Sequence, residues 1–454
     1  MVKIVLIGAG SSSFSIELLK DISTMSGLSG CTLALVDINE EKLDFALKLV
    51  TKYCYETGMN INISATNDRR KALDGANYVI CAVKIGGYEP LEKERLISEE
   101  LGYYRGVGDR VSCYYGGIGA YHQIRFMVDL ALDMEELCPD ALLIQTANPV
   151  FEATNYVTRY TKIKAAGVCH GHEGYKDIAK TMGLDPKHVS AVVCGFNHYN
   201  YMKSFMYKGK DAYPLLDEWI ENFAEDYWNS EEYNTIKEYR APDHLSRGAV
   251  DAYKLFGLMP ICDAIRAASP WWHHTDLDTK ISWYGTGGGF DSEYGWKLYL
   301  DEKNAQYEKL RKTVNSGASV LEIFGNTPTT EQHIPLIDSL TNDNDRILTL
   351  NVPNNGAICG LPDDILVEIP VRCNGHGLFN INMGTLPPKI MNNVMLPRLA
   401  RAENIMDAFR RADRSVLYLM VADDPRTRSF EQAKSLVDKL LGQPWNADAN
   451  KHYK

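Results

Sequence analysis

The chain has 454 residues, 45% hydrophobic and 24% charged, with a net charge of −11. Neutralising phosphates needs clustered Lys and Arg, and no basic run or aromatic-basic stripe offsets the acidic balance, so nucleic acid is excluded as a partner. The apolar start at 2–7 breaks at once into Gly8-Ala-Gly10, too short for a secretory core, and no later run approaches the roughly 18 apolar residues of a membrane span.

A chain of this length suggests about two or three domain-sized units, or one two-lobed enzyme. Ten cysteines (31, 54, 81, 113, 138, 169, 194, 262, 359 and 373) are scattered without framework spacing. With no export signal they read as mostly reduced, and the cytoplasm is the expected compartment.

In chain order, residues 3–7 are short, apolar and β-branched and run directly into glycines, which reads as a buried strand. Residues 15–24 have helical apolar spacing. A second strand at 32–36 ends at Asp37, and a helix at 39–57 opens with an Asn cap and two glutamates. The buried-strand pattern returns at 77–83 and at 141–146, just before Asn148-Pro149. It recurs at 164–168 and completes the series at 189–193. Strands alternating with helices predict a parallel, doubly wound sheet over about the first 190 residues. Beyond residue 200 the pattern changes. Residues 213–239 are amphipathic and rich in aromatic and acidic side chains, and 244–266 reads as helical with an interruption near Pro260. Residues 395–409 and 430–441 are helical, and between these helical stretches 347–352 and 365–369 look like strands of a smaller mixed sheet. Repeats, low-complexity tracts and Pro/Ser linkers are lacking, so one intertwined two-lobed molecule is expected.

Gly8-Ala-Gly10 stands where the first strand meets the first helix. Its glycines allow a tight turn and the close approach of a pyrophosphate to backbone N–H groups at the helix start. Asp37 follows Gly10 by 27 positions, at the end of the second strand. A carboxylate there would bond the adenosine ribose diol and repel a 2′-phosphate, favouring NAD over NADP. Ser13 replaces the usual third glycine, so the alternative is a plain tight turn.

Cys169, in Gly167-Val-Cys-His-Gly-His-Glu-Gly174, and His198, in Cys194-Gly-Phe-Asn-His-Tyr199, each follow a late strand. In a parallel sheet ligands gather at the carboxyl ends of the strands, so both residues are expected to face the same crevice as the nicotinamide. A thiolate and an imidazole suit zinc, iron, cobalt or nickel, and two ligands leave positions that a polyhydroxylated substrate fills. The bland alternatives are a small buried thiol and a structural histidine.

Several motifs together resemble the family-four glycoside hydrolases, the NAD- and manganese-dependent α-glycosidases: Gly8-Ala-Gly-Ser11, Gln145-Thr-Ala-Asn-Pro-Val-Phe-Glu152, Cys169-His-Gly171, Gly195-Phe-Asn-His198, Met259-Pro-Ile-Cys-Asp263, Glu331-Gln-His-Ile-Pro335 and Asn351-Val-Pro-Asn-Asn-Gly356. They run through nearly the whole chain. The Cys-His-Gly form looks like the branch that takes non-phosphorylated α-glucosides, α-galactosides or α-uronides. The resemblance implies an α/β fold: a Rossmann-like, doubly wound parallel sheet with an intertwined α+β second lobe, similar to lactate and malate dehydrogenases. It divides the chain into a nucleotide domain at 1–195 and a substrate, metal and oligomerisation domain at 196–454.

This family is an exception to two-carboxylate glycosidase chemistry. The resemblance implies that NAD takes hydride from C3 of the sugar, that the ketone acidifies C2, and that a base removes the C2 proton. Mn2+ or another divalent cation on Cys169 and His198 would hold O2 and O3 and stabilise the enolate. Elimination at C1, addition of water and return of the hydride would leave no net redox change. Asp263 is the base implied for C2, although other branches use a tyrosine. His170 is the candidate acid for the leaving oxygen, or else supports the metal cysteine. Gly8, Gly10, Ser11 and Asp37 would hold the dinucleotide. Asn148 would touch sugar hydroxyls or the nicotinamide ribose, unless it only makes an Asn-Pro turn. Asn197 and Arg266 are further substrate contacts, with a structural ion pair as the alternative for Arg266. His172 and His333 read as supporting residues.

The stretch 105–119 departs from the family pattern where a loop over the sugar falls. Arg105 and Arg110 there would hold a uronate carboxylate or neutralise local acids. A neutral hexoside is slightly favoured over a uronide, and a homodimer or homotetramer is expected. The alternatives are an NAD-dependent sugar or 2-hydroxy acid dehydrogenase with net redox change, and an NAD-sensing protein.

Overall fold

A computed structural model describes residues 1–104, 118–235, 243–261, 263–286 and 293–454. Its first half is built as the alternation of strand and helix predicts. Strands β1 (Lys3–Ile7), β2 (Thr32–Val36), β3 (Asn62–Thr66), β4 (Tyr78–Cys81), β5 (Leu142–Gln145) and β6 (Ala165–Gly167) are all parallel, in the order 3-2-1-4-5-6. That order belongs to the dinucleotide-binding doubly wound fold. The apolar run of β1 is explained by cover on both faces. Ile4 and Leu6 join the core that includes the helices Ser12–Thr24 and Glu40–Thr57, while Val5 and Ile7 join the core under Ile118–Leu137. Each such aliphatic side chain contributes about 1.5–3 kcal/mol relative to exposure.

The sheet does not stop at β6. β11 (Arg346–Pro353) pairs antiparallel with β6, and β12 (Leu366–Asn374) with β11. β7 (Val189–Phe196), β8 (Tyr199–Tyr207) and β10 (Met259–Ile261) follow, all antiparallel, with β9 (Lys210–Asp211) on β8 and β13 (Gly377–Asn380) on β12. Two expectations are corrected here. Residues 189–193 do not complete the parallel series; they begin β7, which pairs with β8 in a hairpin. The strands at 347–352 and 365–369 are not a separate smaller sheet, because a single 13-stranded sheet runs through the described residues. An eight-residue strand followed after two residues by another apolar-aromatic run closes locally, so it needs no crossover helix.

Elsewhere the helices break more often than their periodicity predicts. Residues 213–239 form Tyr213–Asn222, Ala224–Trp228 and Glu231–Asn234, with 236–242 outside the described residues. Within 244–266, Arg247–Phe256 is helical, Pro260 sits in β10, and Ala264–Ala267 is a short helix. Among the described residues β10 pairs with β8 alone and lies at the sheet edge, where proline's missing N–H does little harm. No helix among the described residues is long and apolar enough to cross a membrane.

Candidate active site

The nucleotide loop is held by its own backbone and by Asp37. The N–H groups of Gly8 and Ala9 donate to Val36 O at 2.8 and 3.0 Å. Gly10 N–H donates to Asp37 Oδ2 at 2.8 Å, and Asn39 N–H to Oδ1 at 2.9 Å. Gly8 has φ 94°, and a Cβ on it would stand 2.8 Å from Val83 Cγ2; a Cβ on Gly10 would stand 2.5 Å from Asp37 Oδ2. Both glycines are therefore required by space, and Gly8 also by conformation. Ser11 precedes the helix Ser12–Thr24 without a side-chain cap, leaving its first N–H groups for another acceptor. This cradle fits a pyrophosphate, with the Asp37 carboxylate beside it at the end of β2.

Asn148 follows β5 and is joined to Pro149 by a cis peptide bond. Val168 N–H donates to Gln145 O at 2.9 Å, so the segments bearing Asn148 and Cys169 leave the sheet side by side. The Asn197 side chain and the Gly171 backbone N–H lie near the Cys169 thiol and ease its ionisation. Burial, with the negative charges of Glu368 and Glu331, pushes this thiol up to about 12. A bound cation would be needed to deprotonate it at neutral pH.

His198 is buried in the β7–β8 turn at φ 64°, a left-handed conformation rare for a side-chain-bearing residue and concentrated at functional sites. Its Nε2 lies 3.3 Å from Asp263 Oδ2. The candidate base thus stands against one candidate ligand, and Asn197, the neighbour of that ligand, lies near the other. The route to this meeting differs from the one expected: β7 runs opposite to β6, so carboxyl ends of parallel strands do not bring Cys169 and His198 together. Asn197 makes the junction.

Among the described residues no three His, Cys, Asp or Glu side chains gather as a metal centre. A sulfur and an imidazole fit a borderline cation only if outside oxygens fill its remaining positions.

His170 is half exposed, with Nδ1 3.6 Å from Glu331 Oε1. The other oxygen of Glu331 lies 3.3 Å from Nδ1 of the buried His333, whose ring meets Phe14 edge-on at 5.2 Å. Burial opposes ionisation of Glu331, yet the close approach of His333 and the charges of His170 and His172 hold its carboxyl below the ordinary value. His172 accompanies the cysteine, its Nδ1 3.1 Å from Cys169 O. Arg266 lies in the helix Ala264–Ala267; its side chain, like Arg105 and Arg110, lies outside the described residues.

Sequence reasoning missed Glu331, which stands in a quoted motif without a role. It also missed Glu368, which accepts amide N–H groups from Asn197, Asn200 and Asn351 at 2.7, 2.8 and 3.0 Å. One signal was available: a lone carboxylate inside the apolar run at 365–369 is a buried charge that needs partners.

The family 4 glycosyl hydrolase profile matches residues 3–184, and the profile of that family's C-terminal domain matches 193–427. The chain belongs to this family. An alpha-galactosidase of Rhizobium meliloti (strain 1021) is 25% identical over 97% of this chain and 87% of its own length. An alpha-galacturonidase of Lachnoclostridium phytofermentans is 25% identical over 100% of this chain and 96% of its own. Among solved structures, the 6-phospho-beta glucosidase of Thermotoga maritima with manganese, NAD+ and glucose-6-phosphate shares the fold at a TM-score of 0.72 and 19% identity, over 100% of this chain and 99% of that one.

Proposed function

We propose that this glycosyl hydrolase cleaves α-glycosidic bonds of an α-glucoside, α-galactoside or α-uronide by transient oxidation at C3, proton removal at C2 and elimination at C1, with water then added back. The observation that carries the reading is the 3.3 Å contact of Asp263 with His198, whose neighbour Asn197 lies near Cys169. The loop Gly8–Ser11 and Asp37 hold NAD, and Cys169 and His198 hold Mn2+ or another divalent cation. When bound, the dinucleotide supplies a hydride acceptor and the cation supplies Lewis acidity at the sugar oxygens.

Asp263 takes the C2 proton. His170, oriented by Glu331, delivers a proton to the leaving oxygen and remains open to solvent for recharging. Asn148, Asn197 and Arg266 orient the sugar hydroxyls. The galactosidase and galacturonidase relatives support an α-linked, non-phosphorylated sugar. A homodimer or homotetramer belongs to the same reading and rests on the family resemblance. A cytoplasmic location rests instead on reading the cysteines as mostly reduced, which suits the eight free thiols of the described residues.

The test uses para-nitrophenyl α-glucoside, α-galactoside and α-glucuronide with NAD, manganese and a reductant. Nitrophenol release without NADH build-up is the expected result. NADH accumulation without cleavage would instead identify a dehydrogenase.

A further inference from the structure

Glu368 is fully buried in β12 between Val367 and Ile369, and among the described residues no cation acts on it. A carboxylate there carries a desolvation penalty that an aliphatic side chain would not. What it gains is three amide donors from three places. Oε2 accepts from Asn197, in the β7–β8 turn, and from Asn351 on β11; Oε1 accepts from Asn200 on β8.

The register puts this carboxylate between the two chain exits. Gly167, Asn351, Glu368 and Gly195 are successive partners across β6, β11, β12 and β7. Cys169 lies two residues beyond Gly167, and Asn197 and His198 lie two and three beyond Gly195. Asn197 ties the His198 turn to Glu368 at 2.7 Å, and Asn351 Nδ2, 3.0 Å from the same carboxylate oxygen, also reaches Gly167 O at 3.5 Å, two residues before Cys169.

We propose that Glu368 is a positioning residue that clamps the Cys169 and His198 exits at the spacing a divalent cation requires, an inference that rests on the reading of those two residues as ligands. A carboxylate suits the task because its two oxygens accept all three amides and need no acceptor in return. Gln at this position keeps the reach to Asn197. Its new NH2 finds an acceptor once the Asn200 amide turns over, since Asn200 Oδ1 has no hydrogen-bond partner among the described residues.

Cobalt(II) binding to the full chain tests the clamp, read by titration and by the thiolate-to-cobalt absorption band, with NAD binding as the control for folding. Outer-shell partners typically change metal affinity about 10–100-fold. A loss of that size, with a weakened band, is expected in Glu368→Ala and in Glu368→Asp, which keeps the charge but draws it back from Asn197. Glu368→Gln restores most of the affinity. If Glu368→Ala does not fold, the other two variants decide. A folded Glu368→Asp with wild-type affinity and band would overturn the clamp, as would a Glu368→Gln that falls as far as Glu368→Asp. Cys169→Ser separates the two readings: a wild-type protein without a band that this variant removes overturns the ligand reading, and the clamp with it.

Discussion

The Glu368 carboxylate, which holds Asn197, opposes ionisation of the Cys169 thiol by its charge, so the chemistry of one sulfur depends on a carboxylate almost two hundred positions away. Cys169→Ser is expected to abolish metal-dependent turnover while NAD affinity stays near wild type, checked by nitrophenol release and NAD titration; unchanged turnover would remove Cys169 as a ligand. Asp263→Asn is expected to slow hydrogen exchange at C2 in deuterated water by about 10²–10⁴-fold, the usual size of a general-base effect. Undiminished exchange, followed by NMR of the sugar, would remove Asp263 as the base. Cys169, His198 and Asp263 were legible because each sits in a motif whose spacing is local. Glu368 was not, because its three partners come from distant strands and only pairing brings them together.

Among the elements, the nucleotide turn follows the sequence most closely, since its demands are steric and local. Gly10→Ala would push a Cβ into the Asp37 carboxylate and should weaken NAD by about an order of magnitude, roughly 1.4 kcal/mol. Calorimetric titration would show it, and unchanged affinity would argue against the cradle. The Asn39 cap, whose side chain accepts from Lys42 N–H at 2.9 Å, is the one predicted. Asn39→Ala should cost about 1 kcal/mol of stability in a melting experiment, and an unchanged melting temperature would argue against the cap. β3 was missed because Asn62–Thr66 is polar and half exposed, without the apolar run that marked its neighbours. β10 was hidden by Pro260, which reads as a helix interruption until the strand is seen to lie at an edge.

For the molecule as a whole, Glu368 predicts a pH signature. Burial, only partly offset by the three asparagine amides, pushes its carboxyl up to about 7 from an ordinary 4.5. Between those values the native chain keeps a proton that the unfolded chain has released, so this group makes stability fall as pH rises through the window and adds no slope above it. Glu368→Gln should lack that fall, and melting temperatures for both proteins from pH 4.5 to 8 check it; parallel curves would contradict the assignment. The sequence by itself determined the alternation that builds the parallel half, the glycine turn with its acid, and the motifs that carry family membership. All of these are written in neighbouring residues and in the period of their side chains. Only the tertiary structure decided that β7 turns antiparallel, that both halves form one sheet, and that Asn197 and Glu368 join the two halves of the site. A strand's pattern tells which side chains point inward, but its neighbour and direction are chosen by pairing with segments far along the chain.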